Sequence, residues 1–338
     1  MALTPEWRGR IEHWRNTLRD LMYVKVEDVA LEGFVTLDAL TPEQAVRRKF
    51  KPMPPGTRWG AKWEYAWLRA AVKLPKSVAG RWVVFSRDSE QPGAESRVIV
   101  NRREAGGLDW PHRTITLSPK AKGGEAYEIL IEAYGGHGPW VCGGGPVPHG
   151  VASVPEPAAQ QQTVWPTSIG IWEEDVYQAW LDLQTLIELR DQLDPESLRV
   201  ADLDEGLREF TLITDLELPR EDMLRTLRNG RSRLRPLLDS TNGPTSPVLY
   251  CFGHSHIDVA WLWPLAETER KCARTLGTQL ALMEQYPEFK FLQSQPHLYT
   301  MTKRRFPELY RRLKDAARRG QQGDPGQLCT QHGSPPRK

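Results

Sequence analysis

The run His254-Ser255-His256-Ile257-Asp258 sets two imidazoles and a carboxylate at alternate positions, directly after the apolar stretch VLYCFG. In extended or gently turning backbone, residues two apart point the same way. His256 and Asp258 therefore share a side, and His254 joins them where the extension persists. Imidazole nitrogen and carboxylate oxygen suit zinc or a similar divalent ion. The same spacing also suits catalytic residues working without a metal, or a polar network satisfied internally, and spacing alone leaves the three readings open. Trp261 and Trp263 follow, able to stack on sugar rings or to fill a core.

These side chains need a strand that stops where they begin. SPVLYCFG predicts a buried strand over 247–253, and in α/β folds functional side chains gather at the carboxyl ends of parallel strands. Glu267 and Thr268 open a helix carrying Ala273, Leu276, Leu280 and Met283. A second strand is expected at 289–292, ending in the polar QSQ, and a helix with Tyr299, Phe306, Leu309, Tyr310 and Leu313 follows. Strand, helix, strand, helix is the opening of a parallel α/β unit.

Upstream the periodicity changes twice. Thr4 as N-cap and Pro5 in the first turn start an amphipathic helix with Trp7, Ile11, Trp14, Leu18 and Leu21 on one face. The proline-rich KPMPPGTRWG, 51–60, ends that leader. WEYAWLRAAVKLP, RWVVFS, SRVIVN, RTITLS and YEILIEAY are then short β-prone runs with hairpin-length gaps, which predicts an antiparallel sandwich. The loop GGHGPWVCGGGPVPHG, 135–150, lacks the GxxxxGK[ST] pattern of a phosphate loop. From 172 to 235 the pattern is helical, with Val176, Trp180, Leu183 and Ile187 on one face and Leu207, Phe210, Ile213, Leu224 and Leu227 beyond. The expected organisation is a helical leader (1–54), a β-sandwich (55–150), a linker and helical region (151–245), the start of a catalytic domain (246–318) and a disordered tail (319–338).

Composition narrows the class. Lys and Arg number 45 against 43 Asp and Glu, interspersed, so neither sign of charge points to nucleic acid. Lys303, Arg304, Arg305, Arg311 and Arg312 fall in an amphipathic pattern and read as a solvated helix face. No run reaches the ~18 apolar residues of a membrane span, and the polar N-terminus lacks a signal peptide's apolar stretch. Cys142, Cys251, Cys272 and Cys329 are far apart without CxxC spacing, which fits a reducing, cytoplasmic compartment.

GHSHIDVAWLWPLAETERKCART, followed by FLQSQPHLYTMTKRRFPELYRRLK, closely resembles the start of the catalytic domain of glycoside hydrolase family 38, the zinc-dependent α-mannosidases. GGLDWPHRTITL and YEILIEAYGGHGPWVCGGGP look like the N-terminal sandwich of its cytosolic and bacterial-type members. The resemblance covers most of 55–318. It implies a galactose-binding-like sandwich, a helical linker and the first part of a (β/α)7-type barrel. It also implies that His256 and Asp258 bind zinc and that Trp261 lines the sugar subsite. His254 matches the motif without being counted a ligand. The implied chemistry is retaining hydrolysis of α-mannosidic bonds in mannose-containing oligosaccharides, by a homo-oligomer in the full-length form. One aspartate would attack the anomeric carbon and a second carboxylic acid would protonate the leaving oxygen.

In the family the nucleophile, the acid/base and a further histidine ligand lie downstream. This chain continues instead as RRGQQGDPGQLCTQHGSPPRK, so no catalytic residue is expected within it and its zinc site is incomplete. Asp324 and His332 lack the surroundings to replace them. The expectation is a truncated product, inactive alone. The rival reading is a non-catalytic carbohydrate-binding or assembly module, for which Trp63, Trp67, Trp82 and Trp110 are available.

Overall fold

A computed structural model describes residues 3–91, 93–137, 160–243 and 245–323. Along the chain, α1 (Pro5–Leu21) is followed by β1 (Tyr23–Asp28), β2 (Glu32–Thr36), α2 (Pro42–Ala45), β3 (Lys51–Pro52), β4 (Arg58–Trp59) and β5 (Tyr65–Lys73). Next come β6 (Val83–Arg87), β7 (Ser96–Val100), β8 (Arg103–Leu108), β9 (Thr114–Ser118), β10 (Ala126–Tyr134), β11 (Gln162–Thr163) and β12 (Thr167–Trp172). The rest is helical: α3 (Glu174–Gln192), α4 (Leu198–Ile213), α5 (Arg220–Leu238), α6 (Leu265–Gln285), α7 (Pro296–Arg305) and α8 (Pro307–Arg318). The chain divides into two compact units, Met1–Lys25 with Gly170–Leu249, and Val26–Ile169 with Tyr250–Lys338.

The first unit is a helical cluster. Thr4 caps α1 through its hydroxyl, with Pro5 at the start, as the sequence suggests. Ile11 and Leu18 of α1 pack with Val176, Leu183 and Leu186 of α3, Leu207 and Phe210 of α4, and Leu224 and Leu227 of α5.

The second unit is built on antiparallel sheets, one ordered β3-β2-β5-β10-β7-β8 and another β1-β12-β6-β9, with β11 paired to β4. Each of the five β-prone runs forms a strand. Central β5 and β10 pair over their whole length, with Leu68 opposite Ile131 and Ala66 opposite Ala133. Residues 23–52, grouped by their sequence with the helical leader, contribute three strands. The two-residue alternation of YVKVED and the β-branched EGFVT outweigh any helical period there.

Strand β8 escapes the sequence reading because REAGGL has two glycines and no alternation. Those glycines let a helix reach the sheet edge. Gly106 has φ +136°, and a Cβ there would stand 3.2 Å from Thr278 Oγ1. The Gly107 N–H donates to that same hydroxyl at 3.0 Å. α6 thus lies along β8 and covers an edge that would otherwise present unpaired backbone. On its other side α6 packs Cys272, Leu276, Leu280 and Met283 against Leu298 and Tyr299 of α7 and Leu309 and Leu313 of α8. Burial pushes the Cys272 thiol up to about 12, so it acts as a small apolar side chain. Cys251 is likewise a free thiol, and Cys142 and Cys329 lie outside the described residues.

The expected strands at 247–253 and 289–292 are reduced to single parallel bridges, Gly253 to Phe291 and Phe291 to Gln322. The strand–helix–strand–helix order holds, but Val248, Leu249, Tyr250 and Phe252 are exposed. Among the described residues no neighbouring strand pairs with 248–252, and an unpaired parallel strand has no ladder to hold its extension. No closed barrel forms among the described residues. Most of the expected glycine-rich loop at 135–150 lies outside them, as do Asp324, His332 and the tail from 324. Among the described residues no helix is long and apolar enough to cross a membrane.

Candidate functional site

The HSHID segment leaves Gly253 as a loop whose backbone is held from two directions. From the second bridge segment, the buried Gln293 side-chain amide donates to the Ser255 carbonyl at 2.7 Å, and the Ile257 N–H donates to Gln295 Oε1 at 3.4 Å. From α6, the buried Thr268 hydroxyl accepts from the Ala260 N–H at 3.0 Å and from the Trp263 indole N–H at 3.1 Å, and donates to the Asp258 carbonyl at 3.4 Å. Ala260 sits at φ +56°, left-handed backbone that an alanine adopts only when its surroundings insist. The turn immediately after Asp258 is therefore imposed by Thr268.

Within that loop the histidines take different partners. His256 Nε2 lies 3.0 Å from Asp258 Oδ1. His254 instead meets Ser294 Oγ at 3.0 Å. Trp261 is half exposed and crosses Trp263 edge-on, with centroids 5.8 Å apart. Trp263, beneath the Lys271 ammonium at 4.5 Å, is the tryptophan that lines the cleft.

His256 and Asp258 open on a cleft of about 290 Å³. Its other contributors are Glu95, Leu108, Asp109 and His112 of the β-sheet part, and Lys271, Arg274 and Thr275 of α6. Two donors each ~2.0 Å from a tetrahedral zinc stand about 3.3 Å apart, so the His256–Asp258 separation suits two positions of such a site. Among the described residues no third His, Cys, Asp or Glu joins them as a metal-binding group.

The β-sheet wall has its own ordered pair. The His112 N–H donates to Asp109 Oδ1 at 2.8 Å, and His112 Nδ1 lies 2.9 Å from the same oxygen. That bond raises the imidazole's pKa against the opposing effect of burial. Burial works against the Asp109 charge, but the bonds from His112 outweigh it and hold its carboxyl below the usual range. The sign for stability follows. The imidazole's contribution is fully present below its unfolded value near 6.5 and fades as pH rises through the higher folded value. In an NMR titration the His112 ring is expected to titrate above the ordinary histidine value near 6.5, and Asp109→Asn to remove the difference. Unchanged behaviour in that variant would mean that the pair does not set the shift.

Beneath the cleft, α6 is joined to the sheet by buried charges. Arg270 Nε donates to Glu132 Oε1 at 2.5 Å, Arg97 reaches Glu132 Oε2 at 2.9 Å and also pairs with Glu104, and Arg274 bridges Glu95 at 2.5 Å and Glu267 at 2.8 Å. The Tyr65 hydroxyl donates to Glu267 at 3.0 Å. Burial raises the Glu267 carboxyl despite Arg274. Burial also opposes ionisation of Glu95, but Arg274 and Lys271 outweigh it and keep its pKa low. Of these residues Glu267 is legible in the sequence as a helix opener. Thr268, Gln293, Asp109 and His112 carried no spacing signal, because their roles arise between distant segments.

The tryptophans offered for a carbohydrate-binding module disperse. Trp67 is fully buried in the core, and Trp82 donates its indole N–H to Thr116. Trp63 and Trp110 are exposed, and among the described residues they form no ring pair.

Residues 247–323 match the family model described as glycosyl hydrolases family 38 N-terminal domain, and residues 24–139 match the one described as alpha-mannosidase, jelly roll domain. Over 334 residues the chain is 26% identical to Alpha-mannosidase 2C1 of Mus musculus, covering 92% of this chain and 31% of that protein. For Alpha-mannosidase 2C1 of Homo sapiens the identity is 25% over 339 residues, with 92% and 31% covered. The chain thus spans about a third of the length of the curated relatives it matches. Among solved structures, Faecalibacterium prausnitzii Beta-glucuronidase overlaps 45% of this chain and 32% of its own at TM-score 0.31 and 14% identity, too slight a likeness to carry an argument. Motif, strand-rich segment and matched relatives agree: the chain belongs to glycoside hydrolase family 38, the α-mannosidases, and carries the N-terminal portion.

Proposed function

We propose that this chain supplies the first two zinc ligands and part of the sugar-binding wall of a retaining α-mannosidase. The observation that carries the reading is the 3.0 Å approach of His256 Nε2 and Asp258 Oδ1 at a cleft of about 290 Å³, inside the segment matched to the family. A bound zinc would supply charge stabilisation and a fixed anchor for sugar hydroxyls. The chain's own residues set that anchor in place. Thr268, Gln293 and Gln295 hold the loop, Lys271 and Arg274 hold Glu95, and Trp261 presents an aromatic face. Retaining hydrolysis further needs a nucleophilic carboxylate and an acid about 5 Å apart on the scissile bond. Of the carboxylates lining the cleft, Glu95 is engaged by two cations and Asp109 by His112. Neither is placed as that pair.

The same reading makes residues 246–318 the opening of a (β/α)7-type barrel, with the sandwich over 55–150 and the helical region over 151–245 preceding it. Mannose-containing oligosaccharides are its substrates, and a cytoplasmic homo-oligomer its working form. Saturation-transfer NMR on the zinc-loaded chain tests the reading. Methyl α-mannoside is expected to bind in preference to methyl α-glucoside, its C2 epimer, and His256→Ala to abolish binding. Equal binding of both sugars, or of neither, would overturn it.

A further inference from the structure

The cleft holding His256 and Asp258 has a second wall that no family role assigned above accounts for. It is the β8–β9 loop, where Asp109 and His112 line the cavity. The Asp109 N–H donates to the His112 carbonyl at 3.0 Å, the His112 N–H returns to Asp109 Oδ1 at 2.8 Å, and the ring meets that oxygen at 2.9 Å. The turn is closed on itself, so both side chains are fixed before any ligand arrives. With Nδ1 directed at Asp109, the neutral imidazole keeps Nε2 as an acceptor. Asp109 keeps Oδ2, and neither atom has a hydrogen-bond partner among the described residues. Nε2 accepts on the edge of the ring away from Asp109, so the two acceptors suit two hydroxyls set well apart on one ligand.

Between them in the chain stands Trp110, 60% exposed, with its indole N–H donated to the Glu90 carbonyl at 2.7 Å. Its polar edge is engaged while much of the ring remains open to an apolar partner, an arrangement suited to the C–H face of a sugar. The cations nearby do not call for an anion. Lys271 is paired with Glu95, and Arg274 with Glu95 and Glu267. A neutral polyhydroxylated ligand fits this wall better than a phosphate or sulfate.

We propose that the loop Asp109–His112 is a second hexose subsite. Two hydroxyls on opposite sides of the sugar neighbouring the one at His256 and Asp258 donate to Asp109 Oδ2 and His112 Nε2, and Trp110 covers a ring face. This rests on the α-mannoside reading and extends it from one sugar to two. A cavity of about 290 Å³ lies at the small end of ligand clefts, which run from ~300 to ~1,000 Å³. A disaccharide therefore has to use surface beyond the cavity itself, and Trp110 offers it.

The test is calorimetry on the full, zinc-loaded chain with methyl α-mannoside and the α-1,2-, α-1,3- and α-1,6-linked mannobioses. At least one mannobiose is expected to bind about tenfold more tightly than the monosaccharide, the worth of one or two net hydrogen bonds. Trp110→Ala is expected to erase that advantage while leaving methyl α-mannoside binding unchanged, and His112→Ala to weaken mannobiose binding more than methyl α-mannoside binding. Asp109→Asn is a second, isosteric variant, and circular dichroism checks that each variant is folded. If mannobioses bind no better than the monosaccharide, or if the variants weaken both equally, the subsite is wrong and the α-mannoside reading survives. If the unaltered chain binds neither sugar, that reading fails and the subsite with it.

Discussion

Thr268→Val is expected to lower stability by about 1–3 kcal/mol and to abolish binding at His256 and Asp258, although Thr268 touches no ligand. Valine has the shape of threonine, so no cavity forms. What disappears is the hydroxyl that accepts from the Ala260 N–H and the Trp263 indole and donates to the Asp258 carbonyl. A buried donor left unsatisfied costs about 1–3 kcal/mol. The Trp263 indole is half-buried and Ala260 is exposed, so the loss stays near that of one such donor, in a turn where Ala260 is already held at φ +56°. Without the hydroxyl nothing favours the left-handed backbone, and Asp258 loses its aim at His256. Urea unfolding measures the first effect and zinc titration the second. Thr268→Ser, which keeps the oxygen, should retain most of both. A serine variant as damaged as the valine would assign the effect to packing and not to hydrogen bonding.

Glu132→Ala is expected to cost more, about 3–5 kcal/mol, as for other buried ion pairs stripped of one partner. Its two carboxylate oxygens take one arginine each, Arg270 from α6 and Arg97 from β7, and all three residues are buried. Removing the carboxylate takes the ion-pair partner from buried Arg270 and leaves buried Arg97 with Glu104 alone. The helix that carries Thr268 is the helix Glu132 anchors, so loss of zinc binding should accompany the loss of stability. A quadruple replacement of Arg97, Glu104, Glu132 and Arg270 by Met, Leu, Leu and Met removes the charges together. It is expected to be near neutral or stabilising by about 1–4 kcal/mol. If instead the quadruple variant unfolds as readily as Glu132→Ala, the charges contribute by more than compensating one another.

The sequence made some of this plain and hid the rest for physical reasons. Alternating runs such as YEILIEAY announce strands because one sheet face is buried, and Thr4-Pro5 announces a helix start because capping is local. His256 and Asp258 stood out because their spacing is also local: two residues apart in one turn of chain, they meet at 3.0 Å. The strand expected at 247–253 was not realised, since a parallel strand depends on neighbours that its own residues cannot supply. β8 was hidden because its glycines serve the approach of α6, and a close approach leaves no periodic trace. Glu132 looks in sequence like the solvent side of an alternating strand. It is buried because α6, more than a hundred residues later, brings Arg270 to it. The second wall of the cleft was hidden in the same way. Asp109 and His112 carry no local signal and become a wall only where the fold places the HSHID loop beside them.

The most direct measurement is zinc binding by equilibrium dialysis with mass-spectrometric metal analysis, comparing the chain with His256→Ala/Asp258→Ala. About one zinc per chain is expected at saturation, readily removed by chelator because only two protein donors meet there among the described residues. The double variant should bind none. Equal zinc in both proteins would contradict the account, because the metal would then be held elsewhere and the HSHID loop would be a polar turn without a ligand.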